Sequence, residues 1–185
     1  MAVLHELRGA GVTLRGWRDA DLAAFAAMNA DPAVMTHFPA PLSRADSDAM
    51  AARGRAHFAA HGWGLWALET PALAFAGFVG LSAGTFDLPA TLWPAGAPAT
   101  EIGWRLATAA QGRGHATAAA RLALAFAREA LGLPAVVSFT ALGNTPSQAV
   151  MRRLGMNRLG EFEHPRVAEG HRLRRHVLYA TAWAG

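Results

Sequence analysis

A glycine-rich turn that leads straight into a long apolar helix is the pattern in this sequence most suggestive of chemistry. Residues 111–116 read QGRGHA, and helical periodicity follows from about Gly114 to Leu131. Glycines allow unusual backbone conformations and close approach of a ligand. The first N–H groups of a helix lack partners within it, and the helix dipole favours an anion there. The turn could therefore bind a phosphate group, with Arg113 adding positive charge, or its glycines could simply make a tight strand-to-helix turn.

Two common phosphate-binding motifs do not fit this turn. The P-loop needs a lysine, and all 17 Lys and Arg residues of this chain are arginines. The dinucleotide fingerprint needs glycine where Thr117 stands, and an acid at the end of a second strand, whereas Glu129 lies within the helix. A diphosphate at the helix N-terminus is the phosphate-binding interpretation that remains.

The elements that must position this turn alternate between strands and helices. The pattern predicts one mixed α/β (α+β) domain over residues 1–185, with about seven strands and about four helices. Asp19 and Ser43 are placed to cap the first two helices. The expected strands lie near 11–19, 63–69, 75–84, 101–107, 135–141, 157–163 and 176–183, and the expected helices near 19–29, 43–61, 114–131 and 146–155.

Composition excludes several classes of protein. Hydrophobic residues make up 52% of the chain and charged residues 16%, which is enough apolar surface for a core. The absence of cysteine excludes disulfides, cysteine-ligated metals and a cysteine nucleophile. The net charge is +4, but the arginines are not interleaved with aromatic residues, so we expect no nucleic-acid partner. With no signal peptide and no long apolar run, we expect a cytoplasmic protein without a membrane partner.

Four motifs in order resemble the GNAT family of N-acetyltransferases. QGRGHA resembles the family's acyl-CoA pyrophosphate loop, EIGWRLA its fourth strand, NTPSQAVMRRLGM its N-x-x-S helix and LRGWRDADL its first strand and helix start. The closing EGHRLRRHVLY is similar to the RimJ/RimL-like branch, the ribosomal-protein-alanine acetyltransferase type. The resemblance covers residues 12–183.

The resemblance implies a mostly antiparallel sheet, splayed between the fourth and fifth of the seven expected strands, with acetyl-CoA as acetyl donor in the gap and no metal. Leu106, Ala107 and Thr108 would pair with the pantetheine amides, and the Leu106 region would offer an N–H to the acetyl carbonyl. Asn144 would contact the pantetheine or adenosine side. The expected pyrophosphate-binding residues are Gln111, Gly112, Arg113, Gly114, His115, Ala116 and Thr117.

Direct attack of an amine on a thioester needs a base, a donor to the oxyanion and an acid for the leaving sulfur. Glu101 is the candidate base, since its otherwise apolar strand could raise its pKa; alternatively it faces solvent or pairs with an arginine. Ser147 is the candidate acid or cofactor ligand, or else only a helix cap. Many relatives carry a tyrosine where this chain has Met151. We expect the only tyrosine, Tyr179, to pack in the last strand.

The acceptor site should lie between the first two helices and a proline-rich insertion at 84–99, which reads as a surface insertion or lid. Phe86 and Trp93 in that insertion are the candidate substrate contacts. His57 and His61 are spaced to face one metal, but no third ligand is evident. His164, His171 and His176 flank an arginine-rich segment, which is either a solvated hairpin loop or a basic loop that touches the acceptor or the cofactor.

The expected reaction is transfer of acetyl from acetyl-CoA to a primary amine in a ternary complex. The acceptor is either a protein N-terminus or a small-molecule amine. The alternative is a catalytically weakened acyl-CoA-binding module of the same fold. A homodimer is left open.

Overall fold

A single sheet of eight strands organises the structure. The computed structural model describes residues 5–84 and 86–183. The strand order is β1-β2-β3-β4-β5-β6-β8-β7, and only β5 and β6 are parallel neighbours. The mixed, mostly antiparallel α/β sheet predicted from the sequence is confirmed, with one strand more than expected. The strands are β1 (Leu7–Gly9), β2 (Val12–Arg15), β3 (Leu65–Thr70), β4 (Leu73–Ala83), β5 (Thr100–Leu106), β6 (Val137–Ala141), β7 (Asn157–Glu163) and β8 (Arg175–Ala180).

The additional strand, β1, pairs with β2 through a tight turn, with Leu7 opposite Leu14. Its three residues are too few to show the alternation by which a strand is recognised in a sequence. It extends the edge of the sheet furthest from the glycine turn.

Four helices cover the two faces of the sheet. The buried face of α3 is mostly alanine, so this helix lies close against β4 and β5. On the opposite face, Phe25 and Met28 of α1 pack with Phe78 of β4 and Ala51 of α2. Two short 3₁₀ helices, Val34–His37 and Thr108–Ala110, follow α1 and β5. The helices are α1 (Asp21–Ala30), α2 (Arg44–His61), α3 (His115–Glu129) and α4 (Thr145–Arg153).

One of the two predicted helix caps is confirmed. Ser43 accepts a hydrogen bond from the Asp46 N–H at 3.1 Å and begins α2. The predicted cap by Asp19 is wrong, because α1 begins after Ala20 without a side-chain cap. The Arg18 N–H instead donates to the Asp21 carboxylate, which the buried guanidinium of Arg15 also holds.

Strands β5 and β6 separate almost as soon as they meet, which confirms the predicted splay. Glu101 opposite Val137 is the only pair within the described residues of these two strands. One side-chain bond reinforces the junction, from the Ser138 hydroxyl to the Ile102 carbonyl at 2.9 Å. Beyond it, a gap opens through the sheet.

The described part of the proline-rich insertion, Gly84 and residues 86–99, contains neither helix nor strand. Thr85 lies outside the described residues. Phe86, Leu92 and Trp93 pack against a cluster that includes Val137 and Phe162. None of the helices formed within 5–84 and 86–183 is long and apolar enough to cross a membrane.

Candidate active site

A groove of about 1260 Å³ occupies the gap between β5 and β6. It runs from the start of α3 and the wall of α4 to the loop after α1 and the loop between β7 and β8. Strand β5 contributes every residue from Glu101 to Leu106 to its lining. Successive side chains of a strand point to opposite faces of the sheet, so β5 places side chains at both ends of the groove.

The start of α3 forms one end of the groove. Gly112 and Gly114 adopt left-handed backbone with φ of 72° and 81°, which favours glycine at both positions. Gly114 is the N-cap and supplies no side-chain bond, and the first turn contains no acid. The helix N-terminus therefore presents backbone N–H groups and positive potential to the groove. Gln111, Gly112, Gly114, His115, Ala116 and Thr117 all line it.

Arg121 and Arg153 also line this end of the groove, and sequence reasoning did not identify either. An Arg121 N–H donates to the Arg153 carbonyl at 3.3 Å, so α3 and α4 meet here. Arg121 lies seven residues after Gly114, two turns along the same helix face, and that spacing was a usable signal. Two guanidinium groups beside an uncapped helix start fit a ligand with several phosphates.

The edge of β5 offers unpaired backbone groups along the groove. The Ile102 carbonyl points toward β6, where it accepts the Ser138 hydroxyl. Since backbone groups of alternate residues share one edge of a strand, those of Leu106 point the same way. The Leu106 carbonyl accepts a bond from the Gln111 side chain at 2.9 Å. The Leu106 N–H therefore faces the groove, as the sequence-based hypothesis requires.

Three residues expected to touch the cofactor do not line the groove. The Ala107 N–H already donates to the Ala76 carbonyl at 3.0 Å, so the expected pairing of this group with a pantetheine amide is wrong. The Thr108 hydroxyl donates to the Asp31 carboxylate at 2.9 Å. Arg113 is exposed at the outside of the turn.

The start of α4 carries the two other predicted residues. Asn144 is its N-cap: the side-chain oxygen accepts the Ser147 N–H at 3.3 Å, and its amide donates to Thr140 at 2.8 Å. The alternative that Ser147 only caps this helix is therefore wrong. The Ser147 hydroxyl instead accepts the indole N–H of Trp104 at 3.3 Å, and it lines the groove.

Two further residues near α4 show why no tyrosine is available as an acid. Met151, which is 1% exposed, lines the groove and has no proton to donate. Tyr179 is buried in β8, as predicted, and its hydroxyl donates to Gln148 at 3.3 Å.

Glu101 lies on the opposite face of β5 from Trp104 and lines the groove. A side-chain oxygen lies 3.8 Å from where a Cβ of Gly103 would stand, so the carboxylate lies along the strand. Burial raises the pKa of Glu101 to about 7. None of the ion pairs among residues 5–84 and 86–183 involves Glu101, so the alternative that it pairs with an arginine is not what the structure shows.

The far end of the groove is aromatic and rich in histidine. The rings of His164 and His176 lie 4.7 Å apart and both face the groove beside Phe139. Burial, together with the nearby charges of His176 and Arg166, lowers the pKa of His164 to about 4. Burial also lowers the pKa of His176. Both imidazoles are therefore neutral at neutral pH.

The arginine-rich segment is not simply a solvated hairpin. An Arg172 N–H donates to the Thr36 carbonyl at 3.1 Å, which joins the β7–β8 loop to the loop after α1. His37 and Phe38 form the wall on that side. His171 serves the loop itself, since its ring accepts the Leu173 N–H at 3.1 Å.

The two aromatic residues of the insertion lie outside the lining of the groove. Phe86 and Trp93 do not line the groove, because both side chains pack behind its wall. The ring of Phe86 lies 5.4 Å from that of Phe139 and 4.7 Å from that of His164.

Arg105 is the second charged residue of β5 in the groove, and sequence reasoning missed it. It lies on the same strand face as Glu101. Its guanidinium lies 4.0 Å above the Phe38 ring, and it donates to Asn29 at 2.6 Å. Burial lowers the pKa of Arg105 to about 10, so it stays charged at neutral pH.

His57 and His61 stack with ring centroids 4.4 Å apart, and Trp63 lies beside them. Within residues 5–84 and 86–183, no group of three or more His, Cys, Asp or Glu residues is arranged to hold a metal ion.

Comparison with known proteins matches residues 12–157 to the family described as acetyltransferase (GNAT) domain. An acetyltransferase from Agrobacterium tumefaciens superposes with a TM-score of 0.75 at 25% identity, over 99% of this chain and 97% of that one.

Two solved relatives hold coenzyme A. Mycobacterium smegmatis RimJ in complex with CoA-disulfide matches with a TM-score of 0.69 at 25% identity, over 96% of this chain and 85% of that one. RimL, a ribosomal L7/L12 α-N-protein acetyltransferase in complex with coenzyme A, shares the fold with a TM-score of 0.73 at 16% identity. The match covers 96% of this chain and 97% of that one.

Proposed function

Because this chain belongs to the GNAT family of acetyltransferases, we propose that it transfers acetyl from acetyl-CoA to a primary amine, with both substrates bound at once. One observation carries the proposal: a single groove joins an uncapped helix N-terminus to a half-buried carboxylate whose pKa is raised. The first end suits the phosphates of the donor, and the second suits proton removal from the acceptor.

The donor's phosphates bind at the start of α3, where backbone N–H groups and the helix dipole favour an anion. Arg121 and Arg153 add charge on the same side. The unpaired edge of β5 pairs with the amides of the pantetheine arm, as an added strand would. The Leu106 N–H is the proposed donor to the acetyl carbonyl oxygen, whose negative charge grows during attack.

Glu101 is the proposed base. An alkylammonium group has a pKa of about 10 in water and must lose a proton before its nitrogen can attack. The Glu101 carboxylate takes that proton, directly or through a water molecule, before the nitrogen–carbon bond forms and the carbon–sulfur bond breaks. Ser147, held by Trp104 on the other face of β5, is the proposed hydrogen-bond donor to the departing sulfur. The nitrogen then releases its second surplus proton, which reaches the departing thiolate through solvent, so the coenzyme leaves as the thiol and Glu101 returns its own proton to solvent.

The acceptor is a protein N-terminus or a small-molecule amine. RimL, by its name, acts on a protein α-amine, which supports the first. Met151 supplies no proton, and this favours the alternative of an acyl-CoA-binding module without turnover.

Thermal unfolding with and without acetyl-CoA tests the donor half of the proposal. At 100 times its dissociation constant, a ligand adds about 2.7 kcal/mol to the free energy of unfolding, or about 5 to 11 °C in Tm for a domain of this size. We expect such a shift with acetyl-CoA and none with ATP or NADH. No shift would contradict the proposal.

Release of thiol on addition of amines then tests transfer. Thiol that appears only when an amine is present supports the transferase. A Tm shift without thiol release from any amine would favour the binding module.

A further inference from the structure

Arg105 is a half-buried cation that pairs with no acid among the described residues. None of the ion pairs formed by residues 5–84 and 86–183 includes it, and its one side-chain hydrogen bond is to the neutral amide of Asn29. Its Nε is buried without a partner. Its guanidinium is held between Phe38, at 4.0 Å, and Phe78, at 5.5 Å.

A buried arginine without a counterion is costly, and such charges are ordinarily paired. Stacking on two aromatic rings offsets part of that cost but leaves the planar fork of N–H donors available. By contrast, Arg15, which is 2% exposed, is fully engaged by Asp21 and Glu69. A counterion supplied by a ligand would complete the surroundings of Arg105.

Glu101 does not fill that role. It lies four residues along the strand, at a Cα distance of roughly 13 Å. The pKa of Glu101 is raised by burial alone, and that of Arg105 is lowered by burial alone, so neither group responds to the other's charge.

The floor between Glu101 and Arg105 is open. Gly103 lies between them on the same strand face and lines the groove. A Cβ at this glycine would meet only the Glu101 carboxylate within 4 Å, at 3.8 Å. Phe38 and Phe139 line the walls of the same end, with neutral His164 and His176. One ligand can therefore lie over Gly103 and reach both charged residues.

We propose that the acceptor is an amine that also carries a carboxylate, and that Arg105 binds the carboxylate while Glu101 receives the proton of the amine through a water molecule. The inference rests on the proposed acetyl transfer and names the class of acceptor. The carboxylate belongs either to a free amino acid or to an acidic side chain close to the N-terminus of a peptide. Both sources present the same planar group to the guanidinium fork.

Matched acceptors test this assignment. Free amino acids of increasing chain length between amine and carboxylate are compared with their carboxamides. Amidated tripeptides with glutamate at the second position are compared with the glutamine versions. We expect kcat/KM to favour the carboxylate member of at least one pair by about 10- to 100-fold, the range of a charge-assisted hydrogen bond. The pair that shows this preference identifies whether the carboxylate belongs to a free amino acid or to a peptide side chain.

Two variants tie the preference to Arg105. In Arg105→Met the ratio of kcat/KM between carboxylate and carboxamide should fall to near one, and Arg105→Lys should keep part of it. Arg53→Met, which removes an exposed arginine of α2, should keep the full ratio. If Arg105→Met does not fold, the same kcat/KM ratio compared between wild type and Arg105→Lys still tests whether Arg105 causes the preference.

Equal rates on acids and carboxamides, or a preference that survives in Arg105→Met, would overturn the inference and leave acetyl transfer standing. Binding of the corresponding N-acetyl amino acids, measured by calorimetry, distinguishes failure of the proposed acetyl transfer from failure of the carboxylate site. Arg105-dependent binding of these ligands without turnover of any amine would overturn the proposed transfer and keep the carboxylate site.

Discussion

The surroundings of Glu101 set the pKa of its carboxyl group. No cation lies close enough to lower the pKa of Glu101, so burial alone brings it to about 7. Above that pH the group is ionised and can accept a proton, and below it the group is protonated and cannot.

We expect Glu101→Gln to lower kcat by about 10² to 10⁴, the usual contribution of a general base, without weakening acetyl-CoA binding. In wild type, kcat should rise with pH through about 7, because the base ionises there. The variant should lack this limb. Initial rates from about pH 5 to about pH 9 measure both effects.

Glu129→Gln is the matched control, since Glu129 is exposed at the end of α3. It should keep the wild-type rate and pH profile. A Glu101→Gln enzyme with an unchanged pH profile would remove Glu101 from the mechanism.

At the scale of elements, the start of α3 combines glycine geometry with helix electrostatics. Gly114 adopts φ of 81°, so any side chain placed there would strain the backbone as well as approach the ligand. Ala116, in the first turn, lines the groove in ordinary helical conformation and is the better position for a test.

Ala116→Glu has opposite effects on fold and binding. A carboxylate in the first turn stabilises the helix, yet it would repel a bound diphosphate. We expect the dissociation constant for acetyl-CoA to rise at least about fivefold relative to Ala116→Gln, which has the same shape without the charge. Calorimetric titration measures the two constants, and the Tm of the free proteins checks their folding. Equal constants would mean that the diphosphate lies elsewhere.

At the scale of the whole molecule, one buried ion cluster joins four elements. Arg15 of β2 is 2% exposed; it holds both Asp21 oxygens at 2.8 and 2.9 Å and bonds Glu69 of β3 and the Ala74 carbonyl of β4. Burial raises the pKa of Asp21, but its hydrogen bonds with Arg15 and the Arg18 backbone outweigh this and lower it overall.

We expect Asp21→Asn to lower the free energy of unfolding by about 3 to 5 kcal/mol, because it leaves the buried guanidinium under-compensated. Asp48→Asn makes the same change in the exposed Arg44–Asp48 pair and should cost less than about 0.5 kcal/mol. Urea unfolding of both variants gives the comparison. Similar losses in the two would contradict a structural role for the Arg15 cluster.

The sequence by itself determined the features that depend on near neighbours. The Gly112–Gly114 turn, the Ser43 cap and the apolar strand around Glu101 each rest on contacts within a few residues, where local hydrogen bonds and side-chain alternation decide the outcome. Local rules failed at Asp19 because its carboxylate pairs with a distant group, the Arg55 guanidinium of α2, at 2.7 Å. They failed at Ala107 because its N–H pairs with β4, a partner that no neighbouring residue reveals.

Only the tertiary structure decided which residues surround the far, aromatic end of the groove, where the acceptor is proposed to bind. The order β5-β6-β8-β7 brings His164 and His176 beside Phe139, and the loop after α1 brings Phe38 over Arg105. These residues lie far apart in the chain, and no local pattern records which strands become neighbours. The carboxylates that could have paired with Arg105 are excluded by the same packing. Burial of a charge depends on every element that covers it, so the character of this end follows from the assembled sheet and loops.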